Sequence, residues 1–526
     1  MGFPIVPRQR DAAATTVPIR RLIHLLVFAG ALAIPEAAQA DCTPAFSSGQ
    51  PPAGTTVTCT GTTDGNPAGY GDGSQTGLTI DVQPMATVKG VVEGFVLGAT
   101  NIITNDGTIS DDGANNPRVN GISTSGSIDL TNNQAGVISV ATTSTDPTAN
   151  AIGVNASTMV TGSNAGLISA TASASEAVAI QSDAIDFTNT GTISASGSNA
   201  NGTLGVFAVQ SLALTNSGNV SADGGTGTTG TAVESDGTLN VINLAGGSIT
   251  ATETNTTFAS VGVFAGGSSG GGNDIATISN AGTISGADIG VVSFSDTSTT
   301  ITNTGTIAGT GNVATARAIR LVGSGSSSID NAGVITTTGT VAIKITGSTG
   351  NTLTVETGSS ITGTVIYTGS DTLQLGGSGS DTFNVSNIGA TQQYQGFSTF
   401  NKVGTSTWTL TGSGTQNWTV TSGTLSGDTN SLGGSSLTDN ATLEFNQNSD
   451  GTFAGVISGT GNLTKDGGGT VTFTAANTYT GGTTISAGTL ALSGSGSIAS
   501  SSDVSVDGTF DVSAASGGVS IASLQG

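Results

Sequence analysis

Short β-branched runs alternate with small polar turns along most of the chain, and one signature punctuates them. It reads Asn-x-Gly-x-Ile or Val, at Asn105 to Ile109, Asn164 to Ile168, Asn189 to Ile193 and Asn216 to Val220, then at Asn280 to Ile284, Asn303 to Ile307 and Asn331 to Ile335. Looser copies end at Ile138 and Ile249, giving eight intervals between Gly107 and Gly333 and a period of about 28 residues. Between these copies lie second runs such as Ala151-Ile-Gly-Val154, Val178-Ala-Ile180 and Ile289-Gly-Val-Val292. The apolar positions alternate in steps of two and show no helical period. One such repeat cannot bury its apolar side alone, so copies must stack. Parallel stacking sets Ile109, Ile138, Ile168 and Ile193 above one another, and lets each Asn amide bond the same Asn one rung away. The Asn also tolerates the left-handed backbone that a tight turn uses. The predicted fold class is all-β, a right-handed parallel β-helix. A β-propeller would call for longer units with aromatic anchors.

The ends of the chain read differently. Arg8, Arg10, Arg20 and Arg21 precede an apolar run from Leu22 to Ile34 and then Ala38-Gln39-Ala40. A basic start, a short apolar stretch and an A-x-A site make a cleavable export signal over residues 1–40, cut between Ala40 and Asp41. Cys42 and Cys59 are the only cysteines, and in an oxidising compartment they are expected to pair within an N-terminal cap spanning 41–95. The Asn-x-Gly-x-Ile repeats occupy 96–365. From Tyr367 onward come both tryptophans and strict Thr-x-Thr-x alternation, so 366–526 is expected to continue the coil with a better-packed core.

Composition narrows the chemistry. The formal net charge is −23, and the basic residues beyond the export signal are scattered, which argues against nucleic acid as a partner. The single histidine, His24, lies within the export signal. Gly266-Gly-Ser268-Ser-Gly270 fits G-x-S-x-G, but a nucleophile elbow needs a histidine base and a following helix. Two thiols without histidine make no zinc shell. Asp371 and Asp381, in Gly369-Ser-Asp371 and Gly376-Gly-Ser-Gly379-Ser-Asp381, are weak calcium candidates, since the second stretch matches a nonapeptide calcium-roll repeat. Asp106, Asp111 and Asp112 are the carboxylates that a β-helical carbohydrate-active enzyme would use. No cofactor is expected.

The stretch Gly459-Thr-Gly-Asn-Leu-Thr-Lys465-Asp-Gly-Gly-Gly-Thr470, continuing through Asn477-Thr-Tyr479 to Gly488-Thr-Leu490, closely resembles the passenger-associated repeat of autotransporters, the type V secreted proteins of Gram-negative bacteria. Gly396 to Gly412 resembles the segment preceding such repeats. The resemblance implies export, a β-helical passenger, and an outer-membrane β-barrel translocator in cis. No barrel-like segment lies between residue 459 and Gly526, so the barrel is expected in a longer form of the protein. The function so implied is a non-enzymatic surface stalk serving adhesion, aggregation or biofilm contact, with host cells, neighbouring cells or glycans as the ligand. The alternatives are a carbohydrate-active enzyme and a structural spacer.

Overall fold

The computed structural model describes residues 42–44 and 51–526, except 63–67, 91–92, 112, 114–115, 117, 147, 198–201, 227–228, 254–259, 267–274, 295–297 and 312–313. The described residues form strands and one short 3-10 turn, Val385–Asn387. They divide into two compact units. The first comprises residues up to 272 with 282–292 and 310–313, and the second comprises 273–281, 293–309 and 314–526.

The first unit is a parallel β-helix with three faces. Its first face runs from Thr56–Cys59 and Thr79–Val82 through Met159–Asn164 to Thr238–Asn243. Its second face runs from Thr87–Gly90 and Thr108–Asp111 to Ser248–Thr252 and Thr283–Gly286. The third runs from Ala68–Tyr70 and Glu93–Leu97 to Gly230–Ser235 and Val261–Ala265. Every rung thus donates one strand to each face, and the alternation of apolar and polar positions sends every second side chain inward. The stacked column expected from the repeats is there: Val88, Ile109, Ile138, Ile168, Ile193, Val220, Ile249 and Ile284 pair in register and are all buried. One antiparallel pair, Cys42–Thr43 against Thr56–Cys59, closes the N-terminal end, and a disulfide joins Cys42 to Cys59. On the third face even the outward side is partly covered, because Ile152, Val178, Leu204 and Phe207 form a buried apolar cluster with half-buried Val209.

The second unit keeps the parallel stacking and changes its gauge. Successive ladder asparagines in the first unit lie 25 to 32 residues apart. In the second unit many rung-to-rung contacts shorten to 20 residues, as from Asn351 to Asp371 and from Lys402 to Ser422, with a longer rung of 27 residues between Leu375 and Lys402. An eight-strand sheet runs from Ser380–Asn384 to Leu524–Gln525, and a four-strand sheet from Gly451–Phe453 to Thr509–Ala515. A shorter rung encloses a narrower interior, and bulky rings fill it. Phe445, Phe453 and Phe473 meet edge-on with centroids 5.3, 5.6 and 5.9 Å apart, while Trp408 and Trp418 are buried.

Candidate functional site

The repeated asparagine builds a continuous polar seam inside the coil. At the inner end of each first-face strand its side chain is buried, and Nδ2 donates to the Oδ1 of the next rung's asparagine. In the first unit the chain of bonds runs Asn105 to Asn132 (2.7 Å), Asn132 to Asn164 (2.6 Å), Asn164 to Asn189, Asn189 to Asn216 and Asn216 to Asn243 (2.8 Å each). In the second unit it runs Asn280 to Asn303 and Asn303 to Asn331, both at 2.8 Å. The remaining Nδ2 hydrogen reaches a carbonyl in the following rung, such as Thr192 O from Asn164 and Asn219 O from Asn189. All amides point the same way. Asn132 and Asn243 were hidden from the strict signature, because two extra residues separate each from its glycine.

One expectation about this motif is corrected. None of the ladder asparagines has a positive φ, nor do the glycines two residues after Asn105, Asn164, Asn189 or Asn216. Each residue sits in ordinary strand or turn backbone. Glycine is needed there for space: a Cβ on Gly166, Gly191 or Gly218 would collide with the carbonyl oxygen of the preceding rung's turn.

Below Asn331 the same column continues as Val355, Leu375, Lys402, Val420 and Asp439. Two unlike charged groups therefore take the asparagine's place. Lys402 is buried, and its Nζ donates to the carbonyls of Val403 (2.7 Å), Gly404 (3.1 Å) and Ser422 (3.0 Å). Burial pushes its ammonium down to about 8, partly offset by Glu356. Asp439 accepts from the Ala441 N–H at 3.1 Å through Oδ1, and its Oδ2 has no partner. Burial pushes that carboxyl up to about 6. Neither residue carried a signal in the strict repeat pattern, since each looks like an ordinary charge in a Thr-rich strand.

The other candidates fall in separate places. Asp371 is buried, and each of its oxygens holds two donors: Oδ1 the N–H and side-chain amide of Asn351 (2.8 and 2.9 Å), Oδ2 the N–H and hydroxyl of Thr368 (2.7 and 2.8 Å). Asp381 accepts from the N–H groups of Gly358 (2.8 Å) and Thr382 (2.7 Å). These bonds make both residues turn-formers, and among the described residues no three His, Cys, Asp or Glu side chains group as a metal site. Asp106 accepts from Asn133 outside one end of the strand Thr108–Asp111, whereas Asp111 points inward at the other end and receives the Gly113 N–H. Asp106 lies in the bend before that strand and Asp111 at its buried far end, so the two carboxylates are presented on opposite sides of the coil wall. Asp112, Ser268, Ala40, Asp41 and the whole export segment lie outside the described residues.

Two carboxyl pairs escaped the sequence reading because their members are far apart in the chain. In the first unit, burial pushes Glu253 up to about 8 and raises Asp288 as well. The two side chains hydrogen-bond each other, and the buried Ser260 hydroxyl donates to Glu253 at 2.9 Å. In the second unit, burial raises Asp330 and Glu356, which also bond each other.

The outer surface of the first unit carries carboxylates on more than one face, including exposed Asp223 on the second. The first face displays Asp81, Asp129 and Asp186. The middle outward column of the second face pairs Ser110, Ser139, Ser169, Ser194, Ser221, Thr250 and Ser285 in register, one hydroxyl per rung. Ser169 donates to Ser139 across 3.0 Å.

Fold and interior chemistry together define a parallel β-solenoid whose repeated features hold its rungs together. Residues 463–492 match the family described as passenger-associated-transport-repeat. That match, in an all-β parallel architecture, agrees with an autotransporter passenger, and the repeat implies a translocator in cis and export to the cell surface. No curated protein and no solved structure matches the chain.

Proposed function

We propose that this chain is a non-enzymatic autotransporter passenger whose coil serves as a surface stalk for adhesion, aggregation or biofilm contact. The observation that carries the reading is the transport repeat at 463–492 set within a parallel β-helix. The second face of the first unit supports a contact role. Its column of one hydroxyl per rung offers hydrogen bonds to host, cell or glycan surfaces. The export signal at 1–40, with cleavage between Ala40 and Asp41, is part of the same proposal, as is the outer-membrane barrel in a longer form. So are the cap at 41–95, the repeat coil at 96–365 and the C-terminal coil at 366–526.

The test compares bacteria displaying the full-length protein with bacteria displaying a version lacking 96–365. Settling rate, retention on epithelial cells and retention on immobilised glycans are measured on both. A loss of settling or retention on deletion is expected. Equal behaviour of the two strains would leave a spacer role, and release of sugar fragments from a glycan would favour the carbohydrate-active alternative.

A further inference from the structure

Lys402 and Lys465 are the two buried lysines, 0% and 1% exposed, and their surroundings coincide. Lys465 Nζ donates to Asp466 O (2.8 Å), Gly467 O (2.8 Å) and Ala487 O (3.1 Å). Lys402 Nζ donates to Val403 O, Gly404 O and Ser422 O. In both, two carbonyls belong to the corner immediately after the lysine, and the third belongs to the corner of the next rung. In both, the residue two after the lysine is a glycine at positive φ, Gly404 at 68° and Gly467 at 79°. The glycine after the third carbonyl also has positive φ, Gly423 at 70° and Gly488 at 65°, and a Cβ on either would crowd the ammonium. Three hydrogens meet three carbonyls, so the ammonium's donors are all satisfied by main chain, and Glu356 near Lys402 and Asp466 near Lys465 add attraction without a hydrogen bond.

We infer that Lys402 and Lys465 are rung clamps, each pinning the corner of its own coil to the corner of the next, and that residues 400–427 carry a second copy of this device outside the matched repeat. The sequences agree in spacing: Phe400-x-Lys402-x-Gly404-x-Ser406-x-Trp408-x-Leu410 against Leu463-x-Lys465-x-Gly467-x-Gly469-x-Val471-x-Phe473. The clamp differs from the asparagine seam in one physical respect. The asparagine seam runs from one side-chain amide to the next, whereas the ammonium gives all three of its hydrogens to main-chain carbonyls. A lysine can therefore fasten a junction whose neighbours in the column, such as Leu375 and Val420, are apolar.

Hydrogen exchange on the full chain, read by peptide mass, tests this with Lys402→Met and Lys465→Met. Removing the ammonium takes the lysine's donor from Val403 O, Gly404 O and Ser422 O, or from Gly467 O and Ala487 O at the other junction, where Asp466 O keeps the Gln447 N–H. Lys402→Met should speed exchange at least tenfold in 403–407 and 421–424 while 466–470 and 486–489 keep their protection. Lys465→Met should do the reverse. Unchanged exchange in the lysine's own corners, or equal loosening of both junctions by either substitution, would overturn the assignment. Acylation of the unaltered protein with an amine-reactive ester supplies a readout that needs no variant. Lys402 and Lys465 should react at least a hundredfold more slowly than half-buried Lys89 and Lys344, and comparable rates would refute the clamp.

Discussion

Replacing Asn189 by alanine probes the seam at its centre. The side chain donates to Asn216 Oδ1 (2.8 Å), Asn219 O (3.2 Å) and Gly191 O (3.2 Å), and accepts from Asn164 Nδ2 (2.8 Å). Not all of these partners suffer equally. Asn164 Nδ2 retains Gly166 O and Thr192 O, and Gly191 O retains the Asn219 N–H. Asn216 Oδ1 loses its rung-to-rung donor inside a buried column. An unsatisfied buried acceptor costs about 1–3 kcal/mol, and the lost short bonds add roughly 1 kcal/mol each. The expected loss is about 2–4 kcal/mol. Asn189→Asp should cost more, because a carboxylate has no hydrogen to donate and would face Asn216 Oδ1 across the rung. Urea unfolding of the exported chain, followed by hydrogen exchange over 184–220, measures both. An end position gives the comparison: Asn105→Ala removes one seam bond rather than two and should cost less. If Asn189→Ala proved as mild as the outward Ser196→Ala, the seam would contribute nothing beyond filling space, and the reasoning would fail.

Asp439 sets a pH dependence in the second unit. Its folded carboxyl is pushed up to about 6 while the unfolded chain titrates near 3.9, so the native state holds the extra proton. Its stabilising contribution is therefore complete below about pH 4 and disappears as pH rises through 6; a thermal melt should show that slope, and D439N should reduce it while leaving the part set by the raised carboxyls of Asp330 and Glu356. Chelation is expected to leave the melt of the whole chain unchanged, because Asn351 and Thr368 already occupy both oxygens of Asp371; a drop of several degrees that calcium restores would refute the turn-former assignment.

The fold was legible because its signal is repeated. Ile109, Ile138 and Ile168 each carry little information alone, but a common spacing forces a common environment, and the parallel register followed from it. The asparagine seam was legible for the same reason, except where extra residues displaced Asn132 and Asn243 from their glycines. The mistaken part was the left-handed turn expected at the asparagine: no ladder asparagine has a positive φ, and only coordinates show that the nearby glycine serves close approach. The finer charged chemistry of both units was not legible. Lys402, Asp439 and the pair of Glu253 with Asp288 depend on which rung lies next to which, and single charges carry no period from which to read that.

The one-directional asparagine seam also makes the middle rungs interchangeable parts. Asn164, Asn189 and Asn216 offer the same acceptor upward and the same donor downward. A rung excised whole would bring two equivalent surfaces together, with isoleucine or valine again above isoleucine. Stability in such an array is a sum over neighbouring rungs, so length in this part of the coil is a quantity that gene duplication or loss can adjust in steps of one rung. The aromatic-filled rungs around Phe445, Phe453 and Phe473 share rings between specific neighbours and offer no such freedom. Coil length is thus adjustable among the asparagine-bearing rungs and fixed among the aromatic-filled ones.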